Sequence, residues 1–279
     1  MSLFLLFKLL KGKKLKIKIS LKDTFDKTIT GVSDDDLCVL PFKKRFQDGD
    51  YYEVNVEHAP VYLMVQLDAV LNPTLIYLAK PNWRYKIPMN LERYSALPDG
   101  AFTGEHHYAC VRKAEDYEIN AYQNLARNSH DQRQESGAYP HISANAETRG
   151  EEPFLVKNVI DGYLANKGHG RFPFQSWGID ARDDAKLKLD FGRLVNIAKI
   201  GIQLRADYPH DSYWTKATIK FSNNNKQIVD LVKTAKIQYF VVNQENVSFL
   251  SINNLIRDSQ GDPDSFPSLS QLIVLGKNK

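Results

Sequence analysis

NVIDGYLANKGHGRFPFQSWGIDARDDAKLKLDFG, residues 158–192, decides the fold. Its last part, Lys186-Leu187-Lys188-Leu189-Asp190-Phe191, places an apolar side chain on every second position. That period predicts a strand with one face buried and the other wet. Ahead of it an Asp-Gly turn at Asp161-Gly162 opens a loop carrying His169, Arg171, Phe172, Phe174, Gln175 and Trp177. A loop so long and so aromatic is more than a connector, and such loops on a rigid β scaffold commonly carry function.

Working outward, the same alternation recurs. Leu15 to Leu21 reads as an opening strand whose lysines suit an edge position. Val32–Phe42, Tyr51–Val56, Val61–Leu67, Leu75–Leu78, Trp83–Ile87 and His106–Val111 are further strands, with Asp34-Asp35-Asp36 a solvated turn and Ala96 to Gly104 a loop. Short strands at this spacing predict a small antiparallel sandwich. Ala114 to Ala126 has helical spacing, with Glu115 and Asp116 near its start, and it sets a domain boundary near residue 120. The expected fold is all-β, with domains over 1–120 and 121–279 joined by a short helix.

The 279 residues allow one large domain or two ordinary ones that each bury a core, and 25% charged with 11% aromatic residues is the balance of a folded globular chain. Residues 1–30 hold eight Lys against two Asp, while the remainder carries 29 basic and 31 acidic side chains. No basic face extends along the chain, which argues against nucleic acid as a partner. No run is long enough for a transmembrane helix. Leu3, Leu6, Phe7 and Leu10 share one helical face, but the charges follow this apolar run. That order does not match a secretory signal and favours an intracellular protein. Cys38 and Cys110 lack any CxxC context and read as free thiols.

Three elements in order, Ile160-Asp161-Gly162, Ser176-Trp177 and Leu189-Asp190-Phe191-Gly192, followed by Val195 to Ile200 and a closing Phe266 to Gly276, resemble the signature of discoidin-like domains. These are the coagulation-factor C-type and galactose-binding-like group. The resemblance covers residues 122–279, and the whole chain is similar to bacterial carbohydrate-binding proteins in which such a domain follows a smaller β domain. It implies a jelly-roll sandwich that binds a glycan through the loops at one end. It also implies that Arg205 and Phe266 occupy the binding positions of the family. The family's His directly after the Trp is absent, because Gly178 stands there. Many members hold a structural calcium beside the Asp-Gly turn. Asp161 matches that ligand, while Gln271 replaces the expected Glu.

Sugar recognition needs a flat apolar face together with planar donors and acceptors. Arg149; His169, Arg171 and Trp177; Arg205, Asp207, His210, Asp211 and Trp214; and Asp264 with Phe266 supply such groups from four loops. Arg205 is expected to clamp hydroxyls, Asp207 and His210 to add hydrogen bonds, and Phe266 or Trp214 to stack. Trp177 reads either as a sugar platform or as a core Trp, and Arg205 either as a ligand or as the partner of a nearby Asp. His106-His107 reads as a strand-end pair with one ring outward. No catalytic motif is found, so the chain reads as a non-catalytic binder. A protein- or phospholipid-binding module is the alternative, with a glycan-active enzyme behind it.

Overall fold

The computed structural model describes residues 14–259 and 265–279, so the N-terminal apolar run and Asp264 lie outside the described residues. The chain is almost entirely antiparallel β-structure. β1 (Lys16–Lys22), β2 (Thr28–Asp35), β3 (Leu37–Lys43), β4 (Tyr51–Val56), β5 (Val61–Gln66), β6 (Thr74–Leu78), β7 (Asn82–Lys86) and β8 (His106–Lys113) build the N-terminal lobe. One sheet has the order β2-β1-β4-β7. The other is β6-β5-β8-β3, extended on the β6 side by the two-residue β10 (Ala138–Tyr139).

Alternation explains the packing of the two sheets. Leu15, Ile17, Ile19 and Leu21 are buried while Lys16 and Lys18 face solvent, and Val54, Leu63, Val65, Trp83 and Phe102 join them in one core. β1 is not an edge strand, as its lysines suggested, but lies between β2 and β4. Its wet face is the outer face of the sandwich. The stretch 32–42 is two strands, divided at Asp36, whose positive φ of 59° turns the chain and whose Oδ1 accepts from Leu15 N. Both cysteines are free, Cys38 buried and Cys110 half-buried.

Two helical expectations need correction. The helix over 114–126 is a single turn, α2 (Asp116–Asn120). A capping box between Glu115 and Glu118 starts it, but Ala121 is already extended. Residues beyond it are recruited as β9 (Gln123–Asn124), which pairs with the last strand, and Leu125 N donates to Val274 O. A second helix, α1 (Asn90–Ala96), lies between the expected strand Trp83–Ile87 and the expected loop that starts at Ala96, where no element was expected.

The C-terminal lobe adds β11 (His141–Ala144), β12 (Trp177–Gly178), β13 (Leu187–Leu204), β14 (Trp214–Phe221), β15 (Lys226–Asp230), β16 (Gln238–Arg257) and β17 (Ser268–Asn278). Their order is β12-β17-β13-β16-β14-β15, with β11 on β13 and β9 on β17. β13 and β16 are long, and register shifts between Asp190 and Lys199 mark where their ladder bends over a common core. Gly192 sits in that bend at φ 65°, where a Cβ would overlap the Tyr139 ring.

The lobes interlace through residues 121–144. β9 joins the C-terminal sheet, β10 returns to pair with β6, and β11 crosses back to β13. Between them His130 is buried against Tyr85, and its Nε2 accepts from Leu67 N at 3.1 Å. From the other side Arg193 reaches Tyr62 and Tyr77, its guanidinium 5.4 and 5.6 Å from the two ring centres. No helix among the described residues is long and apolar enough to cross a membrane.

Candidate functional site at the loop end

β13 ends at Leu204, β14 begins at Trp214, β16 ends at Arg257 and β17 begins at Ser268, so their loops share one end of the C-terminal lobe. A cleft of about 420 Å³ opens there, lined among others by Arg149, His169, Asp180, Arg205, His210 and Phe266. Five of the residues expected from sequence, Arg149, His169, Arg205, His210 and Phe266, thus meet across the fold. Arg205 organises them. Its Nε donates to His210 O at 2.9 Å and one terminal nitrogen to Phe266 O at 2.9 Å. The guanidinium therefore holds two loops by their carbonyls, and no carboxylate pairs with it among the hydrogen bonds and ion pairs of the described residues. Burial pulls it below its usual basicity, opposed by Asp207 and Asp211, and an arginine so placed remains a cation at neutral pH.

Asp207 stands just behind, bonded to His169 Nδ1. The His169 ring lies edge-on to His210 with centres 5.1 Å apart. The opposite wall comes from the turn Thr148–Gly150 and from Asp180-Ala181. Arg149 N donates to Asp180 Oδ1 at 3.3 Å, and Asp180 N donates to Thr148 Oγ1 at 3.1 Å. Arg149, Asp180 and Ala181 all adopt positive φ, between 51 and 57°. Such backbone costs energy for residues with a Cβ and gathers at ligand sites. Ser265, 6% exposed, lines the cleft with an Oγ that has no partner among the described residues. A buried hydroxyl without a partner is costly to keep, and a ligand would satisfy it.

Other expected residues lie elsewhere. Trp177 is fully buried, its Nε1 donating to Ala146 O at 2.7 Å. Trp214 is 3% exposed and packs against it with ring centres 6.3 Å apart. Both are core residues and offer no face to a sugar, so of its two readings Trp177 takes the core one and is no ligand-binding residue, and the stacking role expected of Trp214 is corrected. Arg171 is exposed but off the cleft, and the neighbouring Phe172 N donates to Ser95 O of α1 in the N-terminal lobe. Asp211 pairs with Lys233 at 3.0 Å. Phe266 lines the cleft, yet Arg257 sits 4.9 Å over its ring and covers one face. Gly178 explains the missing His. A Cβ there would overlap Thr148 Oγ1, so the position is closed to any larger side chain.

Sequence reasoning missed Asp180, Thr148, Ser265 and Tyr208. Tyr208 follows Asp207 in its loop and is 85% exposed, an aromatic that nothing in the fold buries. Its place in the run Tyr208-Pro209-His210 was the available signal. A second cleft, about 740 Å³, was also missed. It runs between the lobes, and its cations are neutralised locally: Arg84 by Glu53 and Asp26, Lys86 by Glu92, Arg133 by Glu147 and Lys157 by Glu152.

Asp161, the expected calcium ligand, follows the Val156–Ile160 turn on the flank of β17. Its carboxylate accepts three N–H groups, from Tyr163 N at 2.8 Å, Gln175 Nε2 at 2.8 Å and Gln271 Nε2 at 2.7 Å. Among the described residues no three His, Cys, Asp or Glu side chains gather as metal ligands. Calcium takes six to eight oxygens. A carboxylate ringed by N–H donors does not fit it.

No protein-family model matches the chain, and no curated protein matches it. Among solved structures, the chain is similar to chitosan-binding module 1 of a chitosanase/glucanase from Paenibacillus sp. IK-5, at 17% identity and TM-score 0.39 over 56% of this chain and 100% of that one. It is also similar to a Streptococcus pneumoniae fucose-binding module, at 13% identity and TM-score 0.40 over 59% and 100%. A family 32 carbohydrate-binding module from Clostridium perfringens, in complex with galactose, matches at 19% identity and TM-score 0.35 over 48% and 91%.

Proposed function

We propose that this chain is a non-catalytic carbohydrate-binding protein whose site is the loop-end cleft of its C-terminal lobe. The observation that carries the reading is convergence. Arg149, His169, Asp180, Arg205 with His210, and Ser265 come from five separate stretches of the sequence, and all reach one shallow cleft. A sugar presents neighbouring hydroxyls that donate and accept at once. Asp180 accepts, Arg149 donates, His169 gives its Nδ1–H to Asp207 and so offers Nε2 as an acceptor, His210 does either by tautomer, and the Ser265 hydroxyl, without a partner among the described residues, gains one. Tyr208, 85% exposed in the loop of Asp207 and His210 though not itself lining the cleft, takes the stacking role that the buried Trp177 and Trp214 cannot. The site is small and open, so affinity for one sugar unit is weak, in the range of about 1 mM to 10 μM.

Arg205 acts on the ligand through the loops it holds as well as through its charge. Calorimetric titration of the full chain with a panel of neutral oligosaccharides tests the reading. Binding of at least one, weakened about tenfold or more in both His169→Ala and Tyr208→Ala, is the expected result. A hit that both variants bind as well as wild type would move the site away from the loop end.

A further inference from the structure

We propose that the Asp161 knot is a metal-free closure, in which the side-chain amide of Gln271 stands in the place of a cation. The turn Val156–Ile160 and the following Asp161-Gly162 have to be fastened to β17. A divalent ion would do this by drawing backbone and carboxylate oxygens around one positive centre. Here Gln271 Nε2 is that centre. It donates one hydrogen to Asn158 O at 2.9 Å and the other to Asp161 Oδ1 at 2.7 Å. The same amide's Oε1 accepts from Gly162 N at 3.3 Å, so one side chain of β17 grips the turn at Asn158, Asp161 and Gly162. Gln175 Nε2 completes the ring by donating to the second Asp161 oxygen at 2.8 Å.

The chemistry of this set excludes a cation at the same point. Two oxygens that a metal would need, Asn158 O and Asp161 Oδ1, face a hydrogen-bearing nitrogen. The Gln271 residue is 2% exposed, and its Nε2 already occupies the point between Asn158 O and Asp161 Oδ1. A glutamate at position 271 would invert this arrangement. It brings a second carboxylate against Asp161 and has no N–H for Asn158 O, so residue 271 then faces both oxygens with oxygen, while Gln175 Nε2 and Tyr163 N still donate to Asp161. Two carboxylates so close repel, and a divalent cation relieves both. One atom's identity, nitrogen or oxygen at the end of residue 271, therefore decides whether the domain closes on itself or on calcium.

Calcium titration of the chelator-treated wild-type chain by calorimetry, together with thermal melting in calcium and in chelator, tests the proposal. The expected result is no saturable heat at millimolar calcium and a Tm that is the same, within about 1 °C, in both buffers. In Gln271→Glu the Tm in chelator should fall by several degrees and calcium should restore part of it. If that variant does not fold, Gln271→Met, which keeps the volume and removes the amide, should be destabilised to the same extent with and without calcium. Saturable calcium binding by the wild type, or a wild-type Tm raised by calcium and lowered by chelator, would overturn the proposal.

Discussion

At the scale of single residues, chemistry that sequence cannot display decides most roles. Trp177 and Trp214 carry the composition of a sugar platform, but hydrophobicity and loop position do not say which face is covered. Core packing covers both. Trp177→Ala should therefore cost about 3–5 kcal/mol of stability by leaving a cavity, measured by urea unfolding. A ligand platform would have lost binding with little stability change. His130 shows the reverse case, since nothing in Ser129-His130-Asp131 announces a buried imidazole. Burial pushes its pKa down to about 3, and its Nε2 must stay unprotonated to accept from Leu67 N. A pKa depressed from 6.5 means stability that is whole above pH 6.5 and drains away as pH falls towards 3. Between pH 7 and pH 4 this one group should remove on the order of 3 kcal/mol, read from urea midpoints. In His130→Gln that share of the acid sensitivity should disappear.

At the scale of elements, alternation makes the strands legible, and tertiary demand overrides local signals elsewhere. Asn82–Lys86 and the start of β13 from Leu187 fall as their patterns predict, because one buried face writes itself into every second residue. The helix expected over 114–126 stops at Asn120, since its last residues form a better ladder with β17 than another helical turn would provide. α1 was hidden because its N-cap is Met89, which supplies no capping hydrogen bond, and because Leu91 and Tyr94 are exposed. The pairings that shape the loop end, such as Trp177 with Leu269, span long stretches of chain and leave no local mark. Gly178 in that pairing is the element's weak point. Gly178→Ala should cost about 1–3 kcal/mol by thermal or urea unfolding, because the methyl group meets Thr148. Thr148→Ala combined with it, which removes that Oγ1, should recover part of the loss if that contact is the cause.

At the scale of the whole molecule, the two lobes are not beads on a string. The passage from 121 to 144 visits the C-terminal sheet, the N-terminal sheet and the C-terminal sheet again. Arg193 adds a cation between Tyr62 and Tyr77 while donating to Asn278 Oδ1 at 2.7 Å. The full chain should therefore unfold in one calorimetric transition, and Arg193→Ala should lower its midpoint or split it in two, at a cost of about 2 kcal/mol. A fragment over 121–279 should be less stable than the same residues within the full chain. Separate transitions in the wild type would refute this coupling. For that reason ligand binding belongs with the full chain.

The central claim is that the loop end recognises carbohydrate, and a glycan array probed with the full chain tests it most directly. The account predicts selective binding to a set of related glycans, retained in Gln271→Met provided that variant is folded and lost in His169→Ala and Tyr208→Ala. A folded protein that binds no glycan on the array, or one whose binding survives both loop-end substitutions, would contradict it.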